Sequence, residues 1–97
     1  MAELHFEWDG AKATANQNKH GVSFEEAKTV FADELARLIP DPDHSTGEER
    51  FILLGMSRNF RLLVVSHCER SSDRIRIISA RKANRQERGE YEGFINA

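Results

Sequence analysis

The chain is short of cysteine, proline and long apolar runs, and each shortage excludes something. Its one cysteine, Cys68, forbids an internal disulfide. With the start Met-Ala-Glu-Leu-His-Phe-Glu, which has no signal-like apolar region, it points to a cytoplasmic protein kept reduced. The longest apolar runs, Phe51–Met56 and Leu62–Val65, fall far short of the roughly 20 residues a membrane helix needs. No CxxC, HxxxH or calcium-loop spacing occurs, so no metal is expected. Asp41, Asp43 and His44 look superficially like ligands, but Pro42 between the acids and Ser-Thr-Gly after them read as a turn. No glycine-rich phosphate loop is present either, and no cofactor is expected.

Positive charge is scarce in the first half and concentrated in the second. Residues 1–49 hold four Lys/Arg against eleven Asp/Glu, and residues 50–97 hold ten against five. A net charge of −2 therefore hides an acidic half and a basic half. Such a split either neutralises itself across the fold or presents a basic face to an anion. Nine of the ten late cations are arginine, the residue suited to bidentate phosphate contact.

At 97 residues, with 39% hydrophobic and 31% charged side chains, the chain reads as one globular domain spanning 1–97. Leu4, Phe6 and Trp8 alternate with polar residues and predict a short first strand. Asp9 is placed to cap a helix from about Gly10 to Lys19, closed by Gly21. Ser23-Phe-Glu-Glu26 has capping-box spacing and opens a second helix to about Ala32, with Val22 stapled onto Ala27. A weakly patterned strand, Leu35–Pro40, and a long turn, Asp41–Gly47, come next. Three strands follow: Glu49–Ser57, Arg61–Arg70 and Arg74–Arg81, the second buried on both faces at Leu62–Val65. Asn84-Arg-Gln-Glu87 is a second capping-box spacing and starts the last helix, whose end Phe94 and Ile95 are placed to dock. The order β-α-α-β-β-β-β-α predicts an α+β fold: an antiparallel sheet with helices on one face and the other face free.

The stretch Arg74–Tyr91 carries the chemistry. Arg74 and Arg76 share one strand face while Ile75 and Ile77 share the other. Two residues of strand set the guanidiniums roughly 7 Å apart, near the spacing of phosphates along one RNA strand. Arg50 and Arg61 lie on neighbouring strands and are placed to extend the patch. The same comb also reads as a solvated face that discourages edge pairing. Arg81 ends the strand, and helical spacing lets Glu87, Arg88 and Tyr91 share a face beyond it. Two guanidiniums, a carboxylate and a phenol suit metal-free phosphodiester cleavage: cations on the phosphate, a carboxylate for the 2′-hydroxyl proton. They equally make an ordinary surface network. His67 is a candidate general base, but a single His on a mostly apolar strand reads more readily as a hydrogen-bonded core residue; its neighbour Cys68 points to the opposite face, which argues against a dyad.

Several blocks in order resemble the BrnT-type toxins. They are Phe6-Glu-Trp-Asp9; Lys12, Asn16 and Lys19-His-Gly-Val-Ser-Phe-Glu-Glu-Ala27; Phe31 and Asp33; Asp43-His-Ser with Gly47-Glu-Glu-Arg-Phe51 and Gly55; Arg76-Ile-Ile-Ser-Ala-Arg81; and Glu87-Arg88 with Tyr91. The resemblance spans residues 6 to 91. It implies a RelE-like fold and a metal-independent ribonuclease toxin of a type II toxin–antitoxin pair, one that inhibits translation and arrests growth. It implies a small DNA-binding antitoxin of the ribbon-helix-helix kind, a heterotetramer or larger complex, and contact with operator DNA only through that antitoxin. Arg81 and Arg88 would meet the scissile phosphate, and Tyr91 or Glu87 would transfer protons. Lys12, Arg50, Arg74 and Arg76 would hold RNA. Attack by the 2′-hydroxyl would leave a 2′,3′-cyclic phosphate and a 5′-hydroxyl. The residues alone keep two other readings open: a non-catalytic nucleic-acid-binding module, and a protein-interaction module using the basic face.

Overall fold

The computed structural model describes residues 3–41 and 49–95. The turn expected at 41–47 lies almost wholly outside the described residues, as do the side chains of Phe94 and Ile95. The elements run β1 (His5–Glu7), α1 (Gly10–His20), α2 (Phe24–Thr29), a 3-10 turn (Val30–Ala32), β2 (Arg37–Pro40), β3 (Phe51–Met56), β4 (Leu62–Ser71), β5 (Arg74–Lys82) and α3 (Arg85–Ile95). The expected order holds, with ends shifted by a few residues.

One five-stranded sheet has the order β1-β5-β4-β3-β2. The last four strands form the expected antiparallel meander. The sheet is nevertheless mixed, because β1 pairs parallel to β5, His5 with Arg74 and Glu7 with Arg76. A helical crossover can return a strand parallel to its neighbour, and local periodicity carries no sign of strand direction.

The main core lies between the sheet and α1–α2. Val22, Phe24, Ala27 and Val30 pack on Leu53, Leu63, Val65, Ile77 and Ala80. Phe6 meets Phe31, and Trp8 meets Phe24, edge to face at centroid separations of 5.1 and 5.9 Å. Such T-shaped pairs add to plain area burial. The second face is not wholly free, contrary to the sequence expectation. Tyr91 of α3 closes a smaller cluster with Leu54, Leu62 and Val64 on that side. The run Leu62–Val65 is buried on both faces, as its unbroken apolar pattern predicts.

Local signals decide the helix ends. The Asp9 carboxylate accepts from Lys12 N at 3.0 Å, and Gly21 closes α1 at φ 69°. Ser23 Oγ accepts from Glu26 N at 3.0 Å. Glu26 does not complete that capping box, because its carboxylate is committed elsewhere. It accepts from Ser57 Oγ at 2.7 Å and Arg61 Nε at 2.9 Å, and pairs a second time with Arg61 Nη2. Arg61 also donates to Gly21 O at 3.0 Å. Arg61 therefore staples the β3–β4 hairpin to α2 and does not join the arginine patch. That fixed pair, buried at Glu26 and half-buried at Arg61, holds the Glu26 carboxyl below the usual carboxylate range.

Asn16 is the key polar group of the core. Its Nδ2 donates to Val22 O at 2.9 Å and Ala80 O at 2.8 Å, and its Oδ1 accepts from Ala80 N at 3.0 Å. Ala80 lies beyond the reach of short β1, so one side-chain amide takes the place of a strand neighbour. Gly55 leaves no room for a side chain: a Cβ there would stand 2.7 Å from Ala36 Cβ and 2.9 Å from Val30 Cγ1.

Candidate functional site

Opposite the helix-covered core, the sheet presents an arginine-bearing face. Register decides which side chains share it. Ile75 and Ile77 turn into the α1–α2 side and are buried, so Arg74 and Arg76 turn outward, as their alternation predicts. Strict alternation would then place Arg81 on the wrong face. The pairing skips Ile78: His67 pairs with Ile77, and Ser66 with Ser79. That extra residue is a β-bulge, and it shifts the phase by one. Ala80 consequently faces the core, and Arg81 joins Arg76 on the open side.

Arg81 sits where β5 hands over to α3. Its Nη1 donates to Glu87 Oε1 at 2.8 Å and its Nη2 to Glu87 Oε2 at 2.9 Å. Glu87 also accepts from Asn84 N at 2.9 Å, while Asn84 Oδ1 accepts from Glu87 N at 2.8 Å, a complete capping box. The fork holds the Glu87 carboxyl below the usual carboxylate range and raises Arg81 further. Both side chains keep solvent access, 42% for Arg81 and 23% for Glu87. A guanidinium has five N–H donors, so this fork leaves others for an incoming phosphate.

The remaining expected site residues divide by position. Tyr91 is buried, and its hydroxyl donates to Asp33 Oδ2 at 2.6 Å. Burial and that carboxylate push the phenol up to about 12. Asp33 also accepts from Met56 N at 2.8 Å and from Leu35 N at 2.9 Å. Burial opposes its charge, but these three donors outweigh it and keep Asp33 below its ordinary value. Tyr91 thus straps α3 to the sheet. Arg88 points along the helix surface to Glu92 at 3.6 Å, half exposed. The four residues expected to converge therefore do not: Arg81 and Glu87 touch, and Tyr91 and Arg88 have other partners. Asp33 was legible only as part of a sequence block; its role depends on a contact 58 residues away.

Among the expected RNA-binding residues, Arg50 lines a groove with Arg81 on the open face. Arg74 stands 3.6 Å from Glu7 and is half exposed. Neither Arg50 nor Arg76 is held in an ion pair among the described residues. Lys12 lies apart, exposed in the first turn of α1. Its backbone N–H bond holds the Asp9 carboxyl low, with smaller help from the Lys12 and Arg76 charges. His67 is a core residue, 2% exposed, with Nδ1 3.2 Å from Val65 O and its ring edge-on to Phe31. Burial pushes it below its usual value. Among the described residues no three His, Cys, Asp or Glu side chains are grouped to hold a metal, and no helix is long and apolar enough to cross a membrane.

Comparison with known proteins adds three findings. No curated protein matches the chain. The fold is similar to the 1.1 Å crystal structure of the Brucella abortus ribonuclease toxin BrnT, with a TM-score of 0.61 and 21% identity over 88% of this chain and 100% of that one. At that identity the likeness speaks for the fold. Residues 8–87 match the model of the family described as "Ribonuclease toxin, BrnT, of type II toxin-antitoxin system". That match takes in the Asp9 cap, Asn16, the bulged β5 and the Arg81–Glu87 fork, and the chain belongs to the BrnT family of ribonuclease toxins.

Proposed function

We propose that the open face binds RNA and that the Arg81–Glu87 pair cleaves it without a metal ion. The carrying observation is the solvent-accessible fork between a bulge-positioned arginine and an ionised carboxylate, at the end of an arginine-bearing strand. Arg81 bonds the scissile phosphate and stabilises the charge that grows on it. Glu87 accepts the 2′-hydroxyl proton as that oxygen attacks the adjacent phosphorus. The 5′-oxygen departs and takes a proton from water. The products are a 2′,3′-cyclic phosphate and a 5′-hydroxyl. Arg50, Arg74 and Arg76 hold the flanking backbone, and Lys12 extends the contact beyond the β1–β5 edge. Arg88 adds positive charge outside the fork. Tyr91 acts through Asp33, by fixing α3 and with it Glu87. In the cytoplasm such cleavage inhibits translation and arrests growth, and a DNA-binding antitoxin of the ribbon-helix-helix kind neutralises it.

The test is incubation of RNA with purified wild type, Arg81→Ala and Glu87→Gln in EDTA, reading the product ends. Wild type is expected to cut and leave cyclic phosphate ends, and both variants to be severely impaired. Strict dependence on added metal, or undiminished cutting by Arg81→Ala, would sink the reading. Salt-dependent binding without cleavage by any of the three would favour a non-catalytic module.

A further inference from the structure

On the open face lies a groove of about 220 Å³ whose chemistry the phosphate-binding arginines do not exhaust. Arg50 and Arg81 flank it with Asp41 beside them, and Ile52, Val64 and Ile78 give it an apolar floor. Ser66 and Ser79 face each other across the β4–β5 pair and also line it. Both Ile78 and Ser79 can do so because the bulge turns two successive residues toward one side. Among the described residues neither serine side chain is engaged in a hydrogen bond, and both serines are only half-buried. A bare phosphate would use the two guanidiniums and leave the isoleucines and hydroxyls idle. A paired base in a duplex is stacked in its helix and unable to enter, whereas an unstacked base presents both a flat apolar face and a polar edge.

We propose that this groove holds one unpaired nucleotide of an RNA strand. Its base lies on Ile52 and Ile78, its edge meets the Ser66 and Ser79 hydroxyls, and its phosphate lies toward Arg50 and Arg81. This rests on the ribonuclease reading and goes further, naming single-stranded RNA as the substrate class and two serines as base-contacting residues. A hydroxyl both donates and accepts, so either kind of base edge is accommodated and preference among bases is modest.

The experiment titrates isotope-labelled wild-type protein with the four ribonucleoside 3′-monophosphates and, separately, with inorganic phosphate, following backbone amides by NMR. Nucleotides are expected to shift Ile52, Val64, Ser66, Ile78 and Ser79. They should bind about fivefold or more tighter than phosphate, as one good hydrogen bond provides. Ser66→Ala/Ser79→Ala should remove that advantage and leave phosphate binding unchanged. Equal affinity of phosphate and nucleotides, or shifts confined to the β3–β4 hairpin, would overturn the proposal. So would equal binding of single-stranded and duplex RNA of the same length at matched salt. The wild-type titration needs no variant to fold. The two readings also fail separately. Nucleotide binding in the groove without RNA cleavage in EDTA removes the enzymatic reading and keeps the slot. Cleavage without nucleotide binding in the groove removes only the slot.

Discussion

The two faces of the sheet use charge in opposite ways. On the side covered by α1 and α2, polar groups are internally consumed: Asn16 by Ala80 and Val22, and Glu26 by Arg61 and Ser57. On the open side, Arg50 and Arg76 have no ion-pair partner among the described residues, and Arg81 is held by a fork that solvent reaches. Arginine count alone would have treated Arg61 and Arg76 as equivalents. Their partners separate them: both are half-buried, but Arg61 is fixed on the buried Glu26 carboxylate, whereas a half-exposed pair is worth little to stability, so the open arginines are free to serve a ligand. Breaking a closed-face network should destabilise the fold, and removing an open-face cation should spare the fold and weaken binding.

The largest expected effect is on the closed face. Asn16→Ala strands the backbone groups of Ala80 and the Val22 carbonyl, at a cost of about 1–3 kcal/mol for each group left unpaired. A total of about 3 kcal/mol lowers the melting temperature of a domain this size by roughly 15 °C, measured by circular dichroism. A loss of only a degree or two would mean that water replaces the amide and that the faces differ less than described.

Arg81→Ala comes next and tests the open face. Cleavage should fall by about a hundredfold or more while the thermal midpoint stays close to wild type. A large drop in melting temperature would move Arg81 into the structural class. Tyr91→Phe lies between the two faces. It removes one buried hydrogen bond to a carboxylate, worth about 1.5–3 kcal/mol, and the loss should show in chemical denaturation. Activity should follow only in so far as α3 loosens.

Arg76→Ala should change stability by less than about 0.5 kcal/mol. It should reduce the salt dependence of RNA binding by about one unit of log–log slope. An unchanged slope would remove Arg76 from the interface.

The smallest effect is a pH dependence from the closed face. His67 is held below its ordinary value by burial against Phe31 and Phe51, with the Val65 carbonyl and Glu69 opposing. The unfolded chain therefore takes up its proton first, so stability falls as pH drops below about 6.5. Glu26, Asp33 and Glu87 are also lowered. Their contribution is present above the usual carboxylate range and disappears as pH falls through it. Denaturation midpoints between pH 7 and 5 should slope downward in wild type and flatten in His67→Gln. An equal slope in both would assign the decline to other groups.

Much of this molecule is local and therefore legible in its sequence. Asp9, Ser23 and Gly21 end helices through bonds that span at most four residues. The Asn84–Glu87 box and the outward turn of Arg74 and Arg76 follow from spacing alone. Tertiary structure decided the rest. It made β1 parallel, sent Glu26 to Arg61 in place of its own cap, and tied Tyr91 to Asp33. Above all, it inserted Ile78 as a bulge, and one extra residue in a period of two moved Arg81 to the face of Arg76. Periodicity states which residues alternate. Only the pairing of strands distant in sequence states where the alternation slips.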